Sequence, residues 1–100
     1  MRFSVVVPLY NKENCIRMTL ESVKKQSFKD YEVIVVDDGS TDRSLEEARK
    51  IKSENITIIH QQNQGVSVAR NTGILHAQGQ YIAFLDADDE WEPDYLKTID

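Results

Sequence analysis

The sequence has a single cysteine, Cys15, so no internal disulfide can form and a cysteine-based zinc cluster is excluded. It also lacks any apolar run near the roughly 18 residues that a membrane span needs. The longest runs, around Val5–Leu9 and Val33–Val36, are the size of strands. The opening Met1-Arg2-Phe3-Ser4-Val5 has neither the extended apolar region nor the small-residue cleavage site of a secretory signal. These absences point to cytoplasmic residence, at most peripheral to the cytoplasmic membrane. With only four glycines and two prolines there is no low-complexity linker, and no internal repeat is present.

A broad basic face is missing too. Of 17 acids, seven (Asp86, Asp88, Asp89, Glu90, Glu92, Asp94 and Asp100) fall in the last fifteen positions, against Lys97 alone. The first 85 residues are nearly neutral, with ten acids and eleven bases. Nucleic acid is therefore excluded as a partner, and a cation is the natural partner of the acidic end.

The chain of 100 residues, 40% hydrophobic and 29% charged, has the composition of an ordinary globular protein. Its length supports one core and one domain, spanning residues 1–100. Phe3–Leu9 is β-branched without helical period, as in a strand buried on both faces. Ile16, Leu20 and Val23 give an amphipathic helix over Lys12–Lys25. Tyr31–Val36 reads as a second strand and Asp37–Asp42 as a turn rich in helix caps. A second helix carries Leu45, Ala48 and Ile51, with Glu46 and Lys50 spaced to pair. A third strand covers Ile56–Ile59, and a third helix has Val66, Ala69, Gly73, Ile74 and Ala77 on one apolar face, closed by Gly79. Tyr81–Leu85 is the fourth strand, and Pro93 falls in the first turn of a last helix.

The order β-α-β-α-β-α-β predicts an α/β fold: an open, doubly wound, Rossmann-like parallel sheet. Ligands of such sheets sit beyond the carboxyl ends of the strands, where strand order reverses. The polar clusters Pro8–Asn11, Asp37–Asp38, Asn63–Gly65 and Asp86–Asp89 all follow strands. No G-x-G-x-x-G or Walker pattern is present, which excludes a dinucleotide fingerprint and a P-loop.

Asp86 and Asp88, two apart on a chain leaving a strand, can project to one side about 7 Å apart. Their repulsion is about 0.6 kcal/mol in water and about 2.4 kcal/mol at an effective dielectric of 20, a cost that a divalent cation reverses. Oxygen ligands favour Mg2+, Mn2+ or Ca2+ over zinc, and ions of this kind keep positions open for phosphate oxygens. The plain alternative is a solvated acidic turn. Asp37 or Asp38 can accept the N–H of a nucleobase or serve as turn and cap residues. Tyr10 offers an aromatic face or is a surface aromatic. Arg70 needs an anion, either phosphate or an acid of the cleft, unless it lies at the surface. His60 and His76 have no metal-ligand spacing and read as structural or surface residues, and Trp91 lines a sugar pocket or anchors the last helix.

Four segments, Val5-Val6-Val7-Pro8-Leu9-Tyr10-Asn11, Val35-Val36-Asp37-Asp38-Gly39-Ser40-Thr41-Asp42, Gly65 with Ala69-Arg70-Asn71, and Phe84-Leu85-Asp86-Ala87-Asp88-Asp89, resemble the family-2 glycosyltransferases of the GT-A fold in order and approximate spacing. The resemblance implies strand order 3-2-1-4 and inverting transfer from a nucleoside diphosphate sugar, most simply a UDP-sugar, to a saccharide or lipid-linked acceptor. It places Pro8, Tyr10, Asp38, Gly65 and Arg70 at the nucleotide. Asp88 becomes the direct ligand of Mn2+ or Mg2+, with Asp86 at the ribose or the metal's water shell. No catalytic base is identified. The resemblance implies that it lies beyond Asp100, so the chain is expected to be the donor-binding portion of a longer enzyme, cut short at its C-terminal end. A binding module without catalysis, or an aspartate-dependent phosphotransfer domain, are the alternatives.

Overall fold

The computed structural model describes residues 1–100. Four strands, β1 (Phe3–Leu9), β2 (Tyr31–Asp38), β3 (Ile56–Gln61) and β4 (Tyr81–Phe84), alternate with helices α1 (Ile16–Lys24), α2 (Ser44–Arg49), α3 (Val66–His76) and α4 (Tyr95–Ile99). All pairings are parallel, in the order β3-β2-β1-β4. β1 and β2 are apolar along nearly their whole length because both are central and both of their faces are covered.

The main core lies on one face, where Val5, Val7, Leu9, Val33 and Val35 meet Ile16, Leu20 and Val23 of α1 and Ala48 of α2. On the other face Ile34 and Val36 meet Ala69 of α3. The first two crossovers run from β1 through β2 to β3, and the third returns over the opposite face to set β4 beside β1. Strand order therefore reverses between β1 and β4.

Several boundaries differ from the expectations. β2 runs on through Asp37 and Asp38, which pair in register with His60 and Gln61 of β3, so the two acids end a strand rather than make a turn. Arg43 takes the N-cap position of α2 without a side-chain cap bond, and the carboxylate of Asp42 just before it accepts the N–H groups of Ser44 (2.9 Å) and Glu13 (3.2 Å). α1 begins at Ile16, not Lys12. Ile51 is buried beyond the end of α2, and Lys50 pairs with Glu47 while Glu46 pairs with Arg43.

In α3 only Ala69 and Gly73 are buried, whereas Val66 and Ile74 are exposed. The helix lies so close to the sheet that a Cβ on Gly73 would stand 2.4 Å from Cγ1 of Val6. Small residues make the contact, and larger neighbours ride on its shoulders. Gly79 is not a left-handed cap: the glycines at positive φ are Gly39 and Gly65. Gly79 is required because a Cβ there would meet the backbone of Phe3 and Ser4 at 2.6 and 2.7 Å. Pro93 precedes α4, whose N-cap is Asp94.

Candidate donor-binding cleft

A cleft of about 450 Å³ opens where β1 and β4 part. Val6 is the last β1 residue to bond across the seam, its carbonyl accepting the N–H of Leu85 at 3.0 Å. Pro8 follows two residues later on the same side of the strand, where no partner remains and a missing N–H leaves nothing unsatisfied. Of the residues singled out in the sequence, Pro8, Tyr10, Asp38, Gly65, Asp86 and Asp88 all line this cleft.

The acidic turn is shaped by the one residue in it that is not acidic. Ala87 is buried in the main core, and the Thr19 hydroxyl on α1 lies 2.9 Å from its carbonyl and 2.5 Å from that of Asp89. The Asp89 N–H donates to the Asp86 carbonyl at 3.0 Å and closes a turn, which buries Ala87 and leaves Asp86 and Asp88 exposed on either side of it. Both carboxylates are half-exposed or more.

Each has a cation beside it. Lys12 Nζ stands 3.3 Å from Asp88 Oδ2, and Arg70 Nη2 stands 3.8 Å from Asp86 Oδ1. No set of three or more His, Cys, Asp or Glu side chains converges anywhere in the chain. Two carboxylates facing one cleft fit an ion that takes its other ligands from water and phosphate, and do not fit a closed structural metal site. The Lys12 ammonium already marks the position at Asp88 as one that attracts positive charge.

Asp38 is only 3% exposed, yet its two oxygens face four donors. Oδ1 accepts from Gln61 Nε2 and the Gln64 N–H, both at 2.9 Å. Oδ2 accepts from the Gly65 N–H at 3.0 Å and from Asn63 Nδ2 at 3.3 Å. Burial pushes this carboxyl up, but the hydrogen bonds from Gln61, Gln64 and Gly65 outweigh burial and hold it below the ordinary carboxylate value. The carboxylate thus organises the loop that forms one wall of the cleft. That loop needs glycine at position 65, where φ is +100°.

Asp37 points to the other face of the sheet. Its Oδ2 lies 2.8 Å from His60 Nδ1, so the exposed His60 is also the partner of a buried carboxylate, while Oδ1 has no partner. Arg70 stands outside the cleft on the far side of Asp86, 5.8 Å from the Phe84 ring, with its buried Nε unpartnered. Trp91 stacks on Tyr95 with ring centroids 4.4 Å apart and packs against the core, which favours the anchoring role.

The sequence reading missed Lys12 as a lining residue. It set Asn63 and Asn11 in the polar clusters after the strands without giving either a role: Asn63 lines the cleft, and Asn11 takes a left-handed φ of 51° and bonds through its side chain to Thr41 and Asp42. The place of Lys12, four residues after Pro8 in a strand-to-helix loop, was the available signal.

Comparison with known proteins identifies the family and the fold. The profile of "Glycosyl transferase family 2" matches residues 4–99. Glycosyltransferase GlyA of Streptococcus pneumoniae is 43% identical over 100 residues, which is 98% of this chain and 14% of GlyA. TarS of S. aureus (1–349), in complex with UDP-GlcNAc, superposes with a TM-score of 0.89 at 37% identity, over 99% of this chain and 30% of that one. The mannosyltransferase PcManGT of Pyrobaculum calidifontis, in complex with GDP-Man and Mn2+, does so with a TM-score of 0.89 at 31% identity, over 95% and 30%. The chain thus spans less than a third of each of these relatives. The match displaces the aspartate-phosphorylation alternative and the sheet order is that of the GT-A fold: the chain belongs to glycosyl transferase family 2.

Proposed function

We propose that this chain is the donor-binding portion of an inverting glycosyltransferase, and that its cleft takes a nucleoside diphosphate sugar. The observation that carries the reading is the outward pairing of Asp86 and Asp88 at the seam where β1 and β4 part. UDP-GlcNAc bound to TarS and GDP-Man with Mn2+ bound to PcManGT support the donor class and the ion. We assign a UDP-sugar as the donor.

The base and ribose occupy the side walled by Pro8, Tyr10 and the loop that Asp38 holds. Asp38 shapes that wall, because its lone pairs are filled unless Gln61 or Asn63 releases it. The diphosphate lies toward Asp86 and Asp88. Asp88 is the direct ligand of the ion and Asp86 serves the ribose or the ion's water shell, with Arg70 behind Asp86 as a further cation. When bound, Mn2+ or Mg2+ offsets the charge that gathers on the departing diphosphate.

An acceptor hydroxyl, from a saccharide or lipid-linked chain, attacks the anomeric carbon from the face opposite the diphosphate. Its oxygen forms the new glycosidic bond, the bond to the diphosphate breaks, and the hydroxyl proton passes to a base. We assign that base to sequence outside these 100 residues, and the whole protein to the cytoplasmic side of the membrane. No helix of the chain is long and apolar enough to cross a membrane.

The test is calorimetric titration of UDP and GDP, with and without Mn2+, into this chain and its Asp88→Ala variant. Binding should require Mn2+ and weaken by about tenfold or more in the variant, the scale of losing a charge-assisted contact. Binding that ignores both the metal and the substitution would overturn the metal bridge.

A further inference from the structure

Lys12 is the only cationic residue among those lining the cleft, and neither sequence motif nor mechanism has given it a task. We propose that Lys12 is a diphosphate-binding residue that pairs with Asp88 while the cleft is empty and turns to the donor once Asp88 is given over to a divalent cation. The inference rests on the donor-binding reading above and adds a residue and an order of events to it.

The backbone around Lys12 is fixed from several directions. Its N–H donates to Ser44 Oγ at 2.7 Å, and its carbonyl accepts the N–H groups of Cys15 and Ile16, both at 3.0 Å. Asn11, just before it, is locked by its side chain to Thr41 and Asp42. Only the side chain of Lys12 is left to move, on four rotatable bonds. Its hold on Asp88 is also weak. The side chains of Lys12 and Asp88 are 43% and 49% exposed, and pairs so wetted contribute little.

An ammonium and a divalent ion cannot share Asp88 Oδ2 without strong like-charge repulsion, so Lys12 must leave when a metal enters. The nearest new anion is the diphosphate that enters with it. A lysine suits that role as a strongly hydrated point charge on a flexible stem. Charge balance agrees: the carboxylates of Asp38, Asp86 and Asp88 together with the two charges of a donor diphosphate outweigh a divalent cation and Arg70, so a further cation is favoured at the diphosphate. Without Lys12 that excess of negative charge is larger, and it becomes less favourable as charge builds on the leaving group. A surface ion pair with no further role would show none of this coupling.

The two halves of the proposal predict effects of opposite sign. Mn2+ binding to the chain without nucleotide, followed by loss of the free-ion paramagnetic resonance signal, should tighten about three- to tenfold in K12M, since a competing charge is gone. UDP binding at saturating Mn2+ should weaken by about tenfold in the same variant, whereas K12R should stay within about threefold of wild type. Equal melting temperatures would show that the variants are folded, and Lys12→Gln carried in parallel guards against a failure peculiar to methionine. Unchanged or weaker Mn2+ binding in K12M, or unchanged UDP binding, overturns the proposal. Wild-type chain that binds neither UDP nor GDP with Mn2+ sinks the donor-binding reading as well. Mn2+-dependent UDP binding that is indifferent to residue 12 sinks only the role of Lys12.

Discussion

A carboxylate taken out of water is tolerated when hydrogen bonds replace the lost hydration, and Asp38 obtains all of its donors from residues 61–65. Asp38→Asn would turn one acceptor oxygen into an amide that faces N–H donors. We expect a loss of about 2–3 kcal/mol in urea denaturation at pH 7, the scale for hydrogen bonds to a buried charge. Because its folded pKa is depressed, the stability Asp38 contributes is fully present above the unfolded value near 4 and is lost as pH falls through the folded value below that. The gap between wild type and Asp38→Asn should therefore be constant from pH 7 to about 5 and shrink as pH drops below about 4. A gap that stays constant down to pH 2.5 would contradict this account. Asp37, Asp38 and Asp42 illustrate what a sequence conceals at this scale. All three are equally plausible caps by local chemistry, yet Asp42 holds the start of α2, Asp38 a loop more than twenty residues downstream, and Asp37 a histidine on the next strand. Local chemistry does not reveal which distant donors the fold will bring to each.

Among the elements, α3 is the one whose placement decides the cleft, since its N-terminal end joins the loop that Asp38 organises. Its contact with the sheet rests on Ala69 and Gly73. Gly73→Ala gains about 1 kcal/mol of helix propensity, but its new methyl would meet Val6 Cγ1 at 2.4 Å, and overpacking of this kind costs about 1–3 kcal/mol. The clash should win. We expect a net destabilisation of about 1–2 kcal/mol by thermal or chemical unfolding, largely relieved in the Gly73→Ala/Val6→Ala double variant relative to Val6→Ala alone. Relief would show that the steric contact, and not backbone flexibility, fixes the glycine. The helical period was readable in the sequence, but the buried subset of its apolar face was not. Period gives direction around the helix axis, while the distance between helix and sheet decides which side chains fit between them.

At the scale of the whole molecule, the open parallel sheet and the end of it that carries the site followed from β-α alternation, while the strand order 3-2-1-4 came from the family resemblance. Strand limits did not, because Asp37 and Asp38 continue the ladder against their low strand propensity. β2 is paired on both sides and β4 on one, with Tyr81, Ile82 and Phe84 exposed. Amides that bond across the β1–β4 seam, such as those of Tyr81 and Leu85, should then exchange hydrogen at least about tenfold faster than those in the middle of β2, through a partial opening that leaves β1-β2-β3 intact. UDP with Mn2+ should slow the β4 exchange selectively. Uniform protection across the sheet would argue against such an opening.

β1 also carries an implication for how the chain assembles. Phe3 must meet Tyr31 on one flank and Tyr81 on the other, and the second encounter closes by far the longer stretch of chain. The entropy of that closure grows only slowly with length, yet contacts so distant in sequence are slow to find. We therefore expect the seam between β1 and β4 to form late in folding, and the cleft opens along that seam. A half-folded chain lacks the cleft, so if the proposed donor site is correct, nucleotide capture would certify that the last strand has docked.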